Sequence, residues 1–475
     1  MSDKELQVFL NIADQNLTGT LVLSGKNTLL SVHAKEPVFD LPDYVNCLCQ
    51  DGQYASLLRC VSFGGGTSWA GNESVYNTRA FPHIVVMGSR YCTANEAIVE
   101  SFSFHLSGAE DLFFDIDPWI DGEGYKPNDN PDSYTQTFSF SGSGVIFEAN
   151  TDIGQISAFH APTFTGPSMM GFSAKNQVRI LITPTEPVSI DALIAVSNRF
   201  KHFAEVCTGQ SQNIESISFI SLERTGGDNP SSFEVIVSHN EEGERQDRDG
   251  GTYGHDMLAA PCLDRKNYED LVVQWFSKND SITSVALSRF SSNINAGSYY
   301  DFNRLVSAAS LFEWFDSSEK VEMTDDIASV IQQTKIALNA LSVSEQRDRL
   351  LGALGNAGKE TLHQKIIRQL TGVLTILDRT KMIDREKTED LISLAVKCRN
   401  GLVHGDYNKK VHRALDSHIY FLTETLEVLF ACLCVHNKGY EIPQNKRHLA
   451  GHSRYSHFFK EFQKRARVVL DDING

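Results

Sequence analysis

The sequence has no uninterrupted apolar run of the roughly 18 residues that a membrane-spanning helix needs. Its first residues, MSDKELQVFLNIADQN, lack the basic-then-apolar layout of a secretory signal. Positive charge is also scarce, since 43 Lys and Arg stand against 60 Asp and Glu, for a net charge of −17. The first two absences predict a cytoplasmic protein with no membrane partner. The third excludes a general nucleic-acid coat, because repulsion opposes approach to phosphate, so any contact with nucleic acid needs a local basic patch.

The cysteines have no regular spacing along the chain. The nine cysteines are an odd number, which predicts free thiols in a reducing compartment rather than a disulfide framework. Cys47, Cys49 and Cys60 lie close together, but C-x-C is not the usual spacing of a zinc knuckle, and no second pair follows. We therefore expect no metal and no cofactor, with a zinc site at these cysteines as the less favoured alternative.

The first half of the chain has the pattern of β-strands. Before residue 240, short segments alternate apolar and polar residues or are rich in β-branched and aromatic types. Clusters of Gly, Pro, Asn and Asp separate them. One segment, 190–206, instead has helical periodicity. Residues 1–240 are therefore predicted to form a mainly antiparallel β sandwich or barrel that carries a helix.

The second half has the pattern of helices. The charged segment 239–254 has almost no apolar residues, which makes residues 241–264 the predicted linker. From residue 265 onward, apolar positions recur at helical spacing, and short connections with Gly or Asp suggest antiparallel neighbours in a bundle. The predicted fold class is multidomain α+β, with a β-rich domain over 1–240 and an all-α bundle over 265–475.

One predicted helix ends in a polar cluster, KCRNGLVHGDY (397–407). Asp384 is a suitable N-cap for this helix and Gly405 a suitable C-terminal cap. At 100° per residue, five of its apolar residues form a core-facing stripe: Leu391, Leu394, Ala395, Cys398 and Leu402. Asn400 and His404 are spaced i,i+4 and share the face opposite that stripe, while Arg399 lies on the flank. The histidine is thus predicted to lie outside the core of its own bundle.

A second apolar strip on this helix, Ile392, Val396 and Val403, lies between the core stripe and the Asn400–His404 face. A wholly solvated face does not need these side chains. Either other helices of the bundle cover them, or a second subunit does.

The stretch RNGLVH resembles the Arg-x₄₋₆-His signature of HEPN domains, in which a polar residue such as Asn400 often follows the arginine. The first bundle helix, FNRLVSAASLFEWF, resembles the acidic helix of the ApeA-like branch, with Glu313 at the acidic position. The closing helix, LTETLEVLFACLCVHNKGY, is similar to that branch as well. A β-rich half before a C-terminal HEPN bundle resembles the ApeA architecture as a whole.

The resemblance implies a metal-independent endoribonuclease of prokaryotic anti-phage defence that acts as a homodimer or a higher homo-oligomer in abortive infection. It implies that His404 transfers protons, that Arg399 binds phosphate oxygens and that Asn400 orients the histidine or binds phosphate. Glu313 is expected to pair with Arg399 across helices. The β domain is expected to be a sensor or regulator, with transfer RNA among the candidate substrates and a phage-derived protein among the candidate triggers.

The C-terminal segment 446–469 supplies the local basic patch, with seven Lys and Arg against one Glu. Six of these residues are the predicted RNA contacts: Lys446, Arg447, Arg454, Lys464, Arg465 and Arg467. The alternative is an amphipathic helix that packs Phe458, Phe459 and Phe462 onto the bundle and leaves its charges in solvent.

Three other functions remain as alternatives. LVHGDYNKKV resembles the His-Gly-Asp loop of aminoglycoside and choline kinases, but Val411 stands where that loop has asparagine, and Asn408 comes three residues early. A non-catalytic HEPN-like scaffold for dimerisation or RNA binding is disfavoured because it needs neither Arg399 nor His404. A β-sandwich module for a carbohydrate or a protein lacks an identifiable aromatic platform.

Overall fold

The computed structural model divides the chain into two compact units. The first comprises Met1–Lys278, Lys438–Glu441 and Gly451–Ser456, and the second Asn279–Asn437, Ile442–Ala450 and His457–Gly475. The structure describes residues 4–12, 14–24, 27–36, 41–70, 73–113, 126–127, 134–135, 144–168, 171–175, 177–224, 230–238, 256–277, 284–315, 325–356, 359–405, 408–442 and 453–474.

The first unit begins with a closed six-stranded antiparallel barrel. Its strands are β1 (Lys4–Ile12), β2 (Gln15–Leu23), β3 (Leu29–Ala34), β4 (Tyr44–Cys49), β5 (Tyr54–Ala70) and β6 (Glu73–Gly88). They pair in the order β1-β2-β3-β6-β5-β4, and β4 pairs back onto β1. Alternation along β1 buries Leu6, Val8, Leu10 and Ile12 inside the barrel. The prediction of a barrel-like antiparallel domain is confirmed.

The cysteines of the candidate zinc site belong to this barrel core. Cys47, Cys49 and Cys60 are all buried there. Burial, together with the neighbouring thiols, raises the pKa of Cys47, and burial raises the pKa of Cys60 to about 12. A zinc ligand has to be a thiolate, so this environment opposes metal binding. Within the described ranges, no group of three or more His, Cys, Asp or Glu side chains is arranged to hold a metal ion.

Strand β6 continues beyond the barrel into an antiparallel sheet. The remaining strands and the first short helix are β7 (Val99–Leu106), α1 (Ala109–Leu112), β8 (Lys126–Pro127), β9 (Tyr134–Thr135), β10 (Val145–Thr151), β11 (Gly154–His160), β12 (Thr163–Ser168), β13 (Gly171–Lys175), β14 (Val178–Pro184), β15 (Ile214–Arg224) and β16 (Pro230–Val237). The sheet has the order β6-β16-β15-β7-β14-β11-β10, while β8–β9 and β12–β13 form separate hairpins. The predicted helix is present as α2 (Ile190–Thr208), capped by Ser189 and ended by Gly209 in the left-handed conformation.

Helix α3 (Arg265–Trp275) belongs to this first unit, whereas the sequence pattern assigned it to the helical domain. Its Tyr268 ring lies 5.3 Å from Phe147 of β10 and 5.7 Å from Phe203 of α2, between ring centroids. The described end of the predicted linker, 256–264, is also partly buried, since Met257–Ala260 lie in the core. The rest of that linker, 241–255, lies outside the described residues. The boundary is therefore nearer 278, because helical periodicity does not show which core a helix packs against.

The second unit is a helical bundle. Its helices are α4 (Ser284–Asn295), α5 (Phe302–Phe315), α6 (Asp325–Asn339), α7 (Glu345–Asn356), α8 (Leu362–Arg379), α9 (Arg385–His404), α10 (Lys409–Asn437) and the greater part of α11 (Arg454–Asn474). Helix α10 lies at its centre, in contact with α5, α8 and α9. By length and composition α10 is apolar enough to cross a membrane, but 83% of that apolar window is buried inside the protein, which is the pattern of a central core helix.

A buried ion pair joins α5 to α10. Arg304 donates from Nε and Nη2 to the two carboxylate oxygens of Glu427 at 2.8 and 2.9 Å. Its Nη1 donates to the backbone carbonyls of Gly297 and Tyr299, each at 2.8 Å. Four of the five N–H groups of the guanidinium are thus bonded, and a paired, hydrogen-bonded charge is the tolerable form of buried charge. This pair fixes the orientation of the helix that carries Glu313.

Candidate active site

Helix α9 ends at the polar cluster as the sequence predicts. Asp384 is its N-cap and accepts a hydrogen bond from the backbone of Lys387 at 3.1 Å. At the other end Gly405 has φ 76°, and its N–H donates to the carbonyl of Gly401 at 2.7 Å. Glycine enters this left-handed conformation without steric cost. Both predicted limits of the helix are therefore confirmed.

The faces of α9 also follow the prediction. Leu391, Leu394, Ala395 and Cys398 are buried and Leu402 is half-buried, whereas Asn400 and His404 are exposed on the opposite face.

The second apolar strip of α9 divides in two. Ile392 and Val396 are buried within the bundle, so other helices of the same chain cover them. Val403, one residue before His404, stays 49% exposed. The part of this strip that a partner could cover is therefore limited to the last turn of the helix, beside the histidine.

The expected contact between Arg399 and Glu313 is present. Arg399 Nη2 lies 3.1 Å from Glu313 Oε1 and 3.4 Å from Oε2, across α9 and α5. The Arg399 side chain is 18% exposed and that of Glu313 is 39% exposed, so the pair lies at the edge of the bundle. The Nε–H of Arg399 is buried without a hydrogen-bond partner in the described part of the chain. The guanidinium thus lies at the edge of the bundle, partly exposed, with its Nη2 bound to Glu313.

The buried Lys365 and the half-buried Gln369, both on α8, hold the end of α5 that carries Glu313. Lys365 Nζ donates to the Glu313 carbonyl at 3.1 Å, and Gln369 Nε2 donates to the Phe312 carbonyl at 3.2 Å. These are C-terminal carbonyls of α5, and a cation near them also complements the helix dipole. The sequence prediction missed both residues. Their signal was present, because Lys365 and Gln369 share the buried side of α8 with Ile366 and Leu370.

Asn400 contacts the arginine rather than the histidine. Its Oδ1 accepts a hydrogen bond from Arg399 Nη1 at 3.2 Å. Among the described residues, none forms a hydrogen bond with the ring of His404, which lies exposed in the last turn. The arrangement offers an anchored guanidinium and, five residues later, an imidazole open to solvent. These are the groups that bind a phosphodiester and transfer a proton.

The predicted RNA contacts of the tail lie in different environments. Lys446 and Arg447 lie outside the described residues. Lys464 and Arg467 are exposed on α11, as predicted, and the sequence prediction left out Lys460, which is exposed on the same helix. Arg454 is only 8% exposed, which contradicts a role at the surface.

Arg465, the remaining predicted contact, is bound within the bundle. Its Nη1 lies 3.5 Å from Glu424 Oε2, and its guanidinium carbon lies 5.4 Å from the centre of the Tyr420 ring. The aromatic residues of the tail are buried as well: Phe458, Phe459 and Phe462. The amphipathic-helix alternative is therefore confirmed for the apolar face of α11, and stacking of bases on these rings is excluded. The exposed cations remain available for RNA.

Asn408 has a structural role, unlike the asparagine of a kinase loop, which binds magnesium. Its Oδ1 accepts a hydrogen bond from the backbone of Val411 at 2.9 Å, so it caps the start of α10. Val411 itself is buried in the bundle. A residue bound in this way is not placed as a magnesium ligand, which agrees with the sequence argument against the kinase.

A bundle in which an arginine and a histidine are five residues apart at the end of one helix, preceded by a β-rich unit, defines a HEPN-containing protein. Comparison with known families agrees: the model of ApeA N-terminal domain 1 matches residues 7–275, and that of Apea-like HEPN matches residues 306–440. The chain therefore belongs to the ApeA family, as its resemblance predicted. The first match ends at the end of α3, close to Lys278, where the first segment of the first compact unit ends. No curated protein and no solved structure matches the chain significantly.

Proposed function

We propose that this protein is a metal-independent endoribonuclease of anti-phage defence, acting in the cytoplasm through the exposed end of α9. The observation that carries the proposal is the placement of Arg399, Asn400 and His404 together at the surface, with Arg399 anchored by Glu313. HEPN domains are generally associated with ribonuclease activity, which supports the same conclusion.

RNA cleavage needs little more than these groups. A base removes the proton of the ribose 2′-OH, and the oxygen attacks the adjacent phosphorus. Arg399 stabilises the negative charge that develops on the nonbridging oxygens. An acid protonates the departing 5′-oxygen, which leaves a 2′,3′-cyclic phosphate and a 5′-hydroxyl. Histidine performs either proton transfer near neutral pH.

The reaction uses a base and an acid, and we assign both roles to His404 from two copies of the chain. HEPN domains generally act as dimers on RNA. Val403, exposed beside His404, is an apolar contact of the kind that a two-fold interface would cover. The proposed active site therefore straddles a homodimer, and Asn400 keeps the Arg399 guanidinium oriented within it.

The β-rich unit then serves as the sensor or regulator, because an unregulated ribonuclease would harm its own cell. A phage-derived protein is the proposed class of trigger. Accessible single-stranded loops, such as transfer RNA anticodon loops, are the proposed class of substrate, since they expose the 2′-OH to the enzyme.

The test is expression of the wild type and His404→Ala in a bacterial host during phage infection, with total RNA examined for fragments and end chemistry. We expect new cyclic-phosphate and 5′-hydroxyl ends with the wild type and none with His404→Ala. His457→Ala is the matched control, since His457 is exposed on α11 and bonds Arg465. Protein purified from the infected cells should retain its ribonuclease activity in the presence of a metal chelator. Identical RNA profiles for the wild type and His404→Ala, or loss of activity on chelation, would contradict the proposal.

A further inference from the structure

Arg59 has a backbone conformation that residues with a side chain rarely adopt. Its φ is 55°, in the left-handed region that favours glycine. In the described ranges two other residues with side chains have positive φ, Asp14 and Lys381, and both lie in connections between elements. Arg59 instead lies within strand β5. Backbone strain of this kind is concentrated at functional sites, so its presence inside a strand needs an explanation.

The conformation belongs to a β-bulge between β4 and β5. Tyr44 of β4 pairs with Leu58 of β5. The carbonyl of Asp43, the residue directly before β4, accepts a hydrogen bond from the N–H of Cys60 at 2.9 Å. One step from Tyr44 thus corresponds to two steps from Leu58, and Arg59 is the extra residue of β5.

The barrel core shows the same shift. Alternation along β5 buries Ala55 and Leu57, and it predicts position 59 as the next residue of the core, but the residue found there is Cys60. The bulge therefore turns Arg59 away from the core. Glycine is the usual residue in the left-handed position of a bulge, so an arginine at this position calls for a role of its side chain.

The ion pair of Arg59 does not supply that role. Arg59 Nη2 lies 2.8 Å from Oδ2 of Asp191, on the first turn of α2. Oδ1 of Asp191 is buried without a hydrogen-bond partner in the described part of the chain, so the pair lacks the bidentate geometry that Arg304 has with Glu427. Because 55% of the Arg59 side chain is exposed, the pair contributes little to stability. It does not offset the strain of an arginine in the left-handed region.

Arg59 also lines a cavity of about 490 Å³, where β5 and β6 lie beside α2 and β16. Four aliphatic side chains form the apolar part of the lining: Val61, Ile84, Ile194 and Val237. The polar part consists of Asp43, Arg59 and His83. Sites for small molecules typically have this size, with apolar walls and a few polar groups.

The lining carries charges of both signs on adjacent strands. Asp43 is joined to the bulge by the backbone bond from Cys60, and neighbouring strands lie about 4.8 Å apart. A guanidinium binds a carboxylate, and a carboxylate binds an ammonium group. A ligand with negative charge alone would be repelled by Asp43, and one with positive charge alone by Arg59. The two residues together favour a ligand that carries both charges.

We infer that this cavity binds a free α-amino acid with a large apolar side chain. The carboxylate of the ligand binds Arg59, its ammonium group binds Asp43, and its side chain packs against the four aliphatic residues. A nucleotide fits less well, because its phosphate would lie beside Asp43, and within the described residues no Phe, Tyr or Trp lines the cavity for stacking. The site belongs to the β-rich unit and does not depend on the proposed ribonuclease activity.

Isothermal titration calorimetry of the full chain with L-leucine and L-phenylalanine tests the site. Both are expected to bind the wild type. Three partial ligands should bind about tenfold more weakly or worse, because each lacks a charged bond or a buried apolar group. 4-Methylpentanoate lacks the ammonium group, leucinamide lacks the carboxylate, and glycine lacks the apolar side chain.

Arg59→Gly removes the guanidinium without introducing strain, because glycine adopts a φ of 55° freely. We expect this variant to bind L-leucine about tenfold more weakly or worse, with a urea midpoint of the β-rich unit no lower than that of the wild type. Asp43→Asn should also lower the affinity for L-leucine, but not that for 4-methylpentanoate. Arg79→Ala is the matched control, since Arg79 is exposed on β6 outside the cavity lining, and it should bind as the wild type does.

Several results would overturn the inference. These are no binding of either amino acid at millimolar concentration, and equal affinity of the wild type and Arg59→Gly for L-leucine. Binding of leucinamide or 4-methylpentanoate as tight as that of L-leucine would exclude recognition of both charges. Binding of AMP in place of the amino acids would assign the cavity to a nucleotide. A lower urea midpoint of Arg59→Gly, with no amino acid bound by the wild type, would show that Arg59 only ties the barrel to α2.

Discussion

Glu313 of α5 and Arg399 of α9 form an ion pair, with Arg399 Nη2 3.1 Å from Glu313 Oε1. The carboxylate lies at the edge of the bundle, where an ion pair contributes about 1 kcal/mol or less to stability. Lys365 and Gln369 nevertheless bind the carbonyls of this turn of α5 and fix its position. The ion pair contributes little to stability, but the turn of α5 that carries Glu313 is held in place by α8. The pair is therefore suited to orienting the Arg399 guanidinium rather than to stabilising the bundle.

Removal of this carboxylate should lower activity much more than stability. In Glu313→Ala the guanidinium of Arg399 loses its fixed partner, and we expect kcat to fall by about 10-fold to 100-fold with a smaller change in KM. Glu389→Ala is the matched control, because Glu389 is 37% exposed and pairs with Arg385 on the first turn of α9, the helix that carries Arg399. Equal kcat in the two variants, or a loss of stability in Glu313→Ala large enough to explain the lower rate, would contradict the positioning role.

The sequence carried enough information for the candidate site because the site is local. Asn400 and His404 share a face by helical spacing alone, and Gly405 marks where the helix ends. Glu313 was placed by resemblance to the acidic helix, and the structure confirms its contact with Arg399. By contrast, Lys365 and Gln369 reach the site from a third helix, and a single sequence contains no measure of which helices are neighbours.

The features of the fold that the sequence did not predict have the same origin. A strand pattern predicts strands but not that β4 returns to β1, since closure of the barrel depends on pairing between distant segments. The pattern of α3 is amphipathic whether it packs against α2 or against another helix. Arg454 was read as an RNA contact because charge in a tail is usually solvated, yet it is buried, and only the packed structure distinguishes it from Lys464.

The buried pair between Arg304 and Glu427 should dominate the electrostatic stability of the bundle. Arg304→Met leaves Glu427 buried without its partner, and we expect the free energy of unfolding to fall by about 3–5 kcal/mol. The double variant Arg304→Met, Glu427→Leu removes both charges and should recover much of this loss. Urea unfolding of each variant measures the difference. Arg385→Met, which breaks an exposed pair of the same unit, is the control, with an expected loss under about 1 kcal/mol. A double variant less stable than Arg304→Met would contradict this account.

The stability of the β-rich unit should depend on pH through His105. Burial of the ring opposes protonation, but bonds to Glu215 and to the Val178 carbonyl, with the charge of Glu110, outweigh it and raise the pKa of His105. Burial raises the pKa of Glu110 as well. The folded state therefore holds the His105 proton more tightly, so this stabilisation is complete below the unfolded histidine pKa of about 6.5. The stabilisation is lost as the pH rises through the raised pKa of His105 in the folded state.

We expect the urea midpoint of this unit to fall between pH 6 and pH 8 in the wild type and to change less in His105→Gln. Glutamine keeps a polar side chain of similar reach but does not titrate. His33→Gln, at an exposed position of β3, controls for loss of a histidine in general. A wild-type midpoint that rises over this range, or the same fall in His105→Gln, would contradict the assignment.

The shared active site predicts how mixtures of subunits behave. If each cleavage needs His404 from both copies, a mixed dimer of wild type and His404→Ala has one proton-transfer group too few. Refolded or co-expressed equal mixtures of randomly paired subunits contain about one quarter wild-type dimers, so activity per wild-type subunit should fall to about half. In an equal mixture with His457→Ala every dimer should be active, so activity per total subunit should stay at the wild-type value, against about one quarter of it in the mixture with His404→Ala. Activity per wild-type subunit that stays constant as His404→Ala increases would mean that one chain completes the site alone, and the dimeric mechanism would then be wrong.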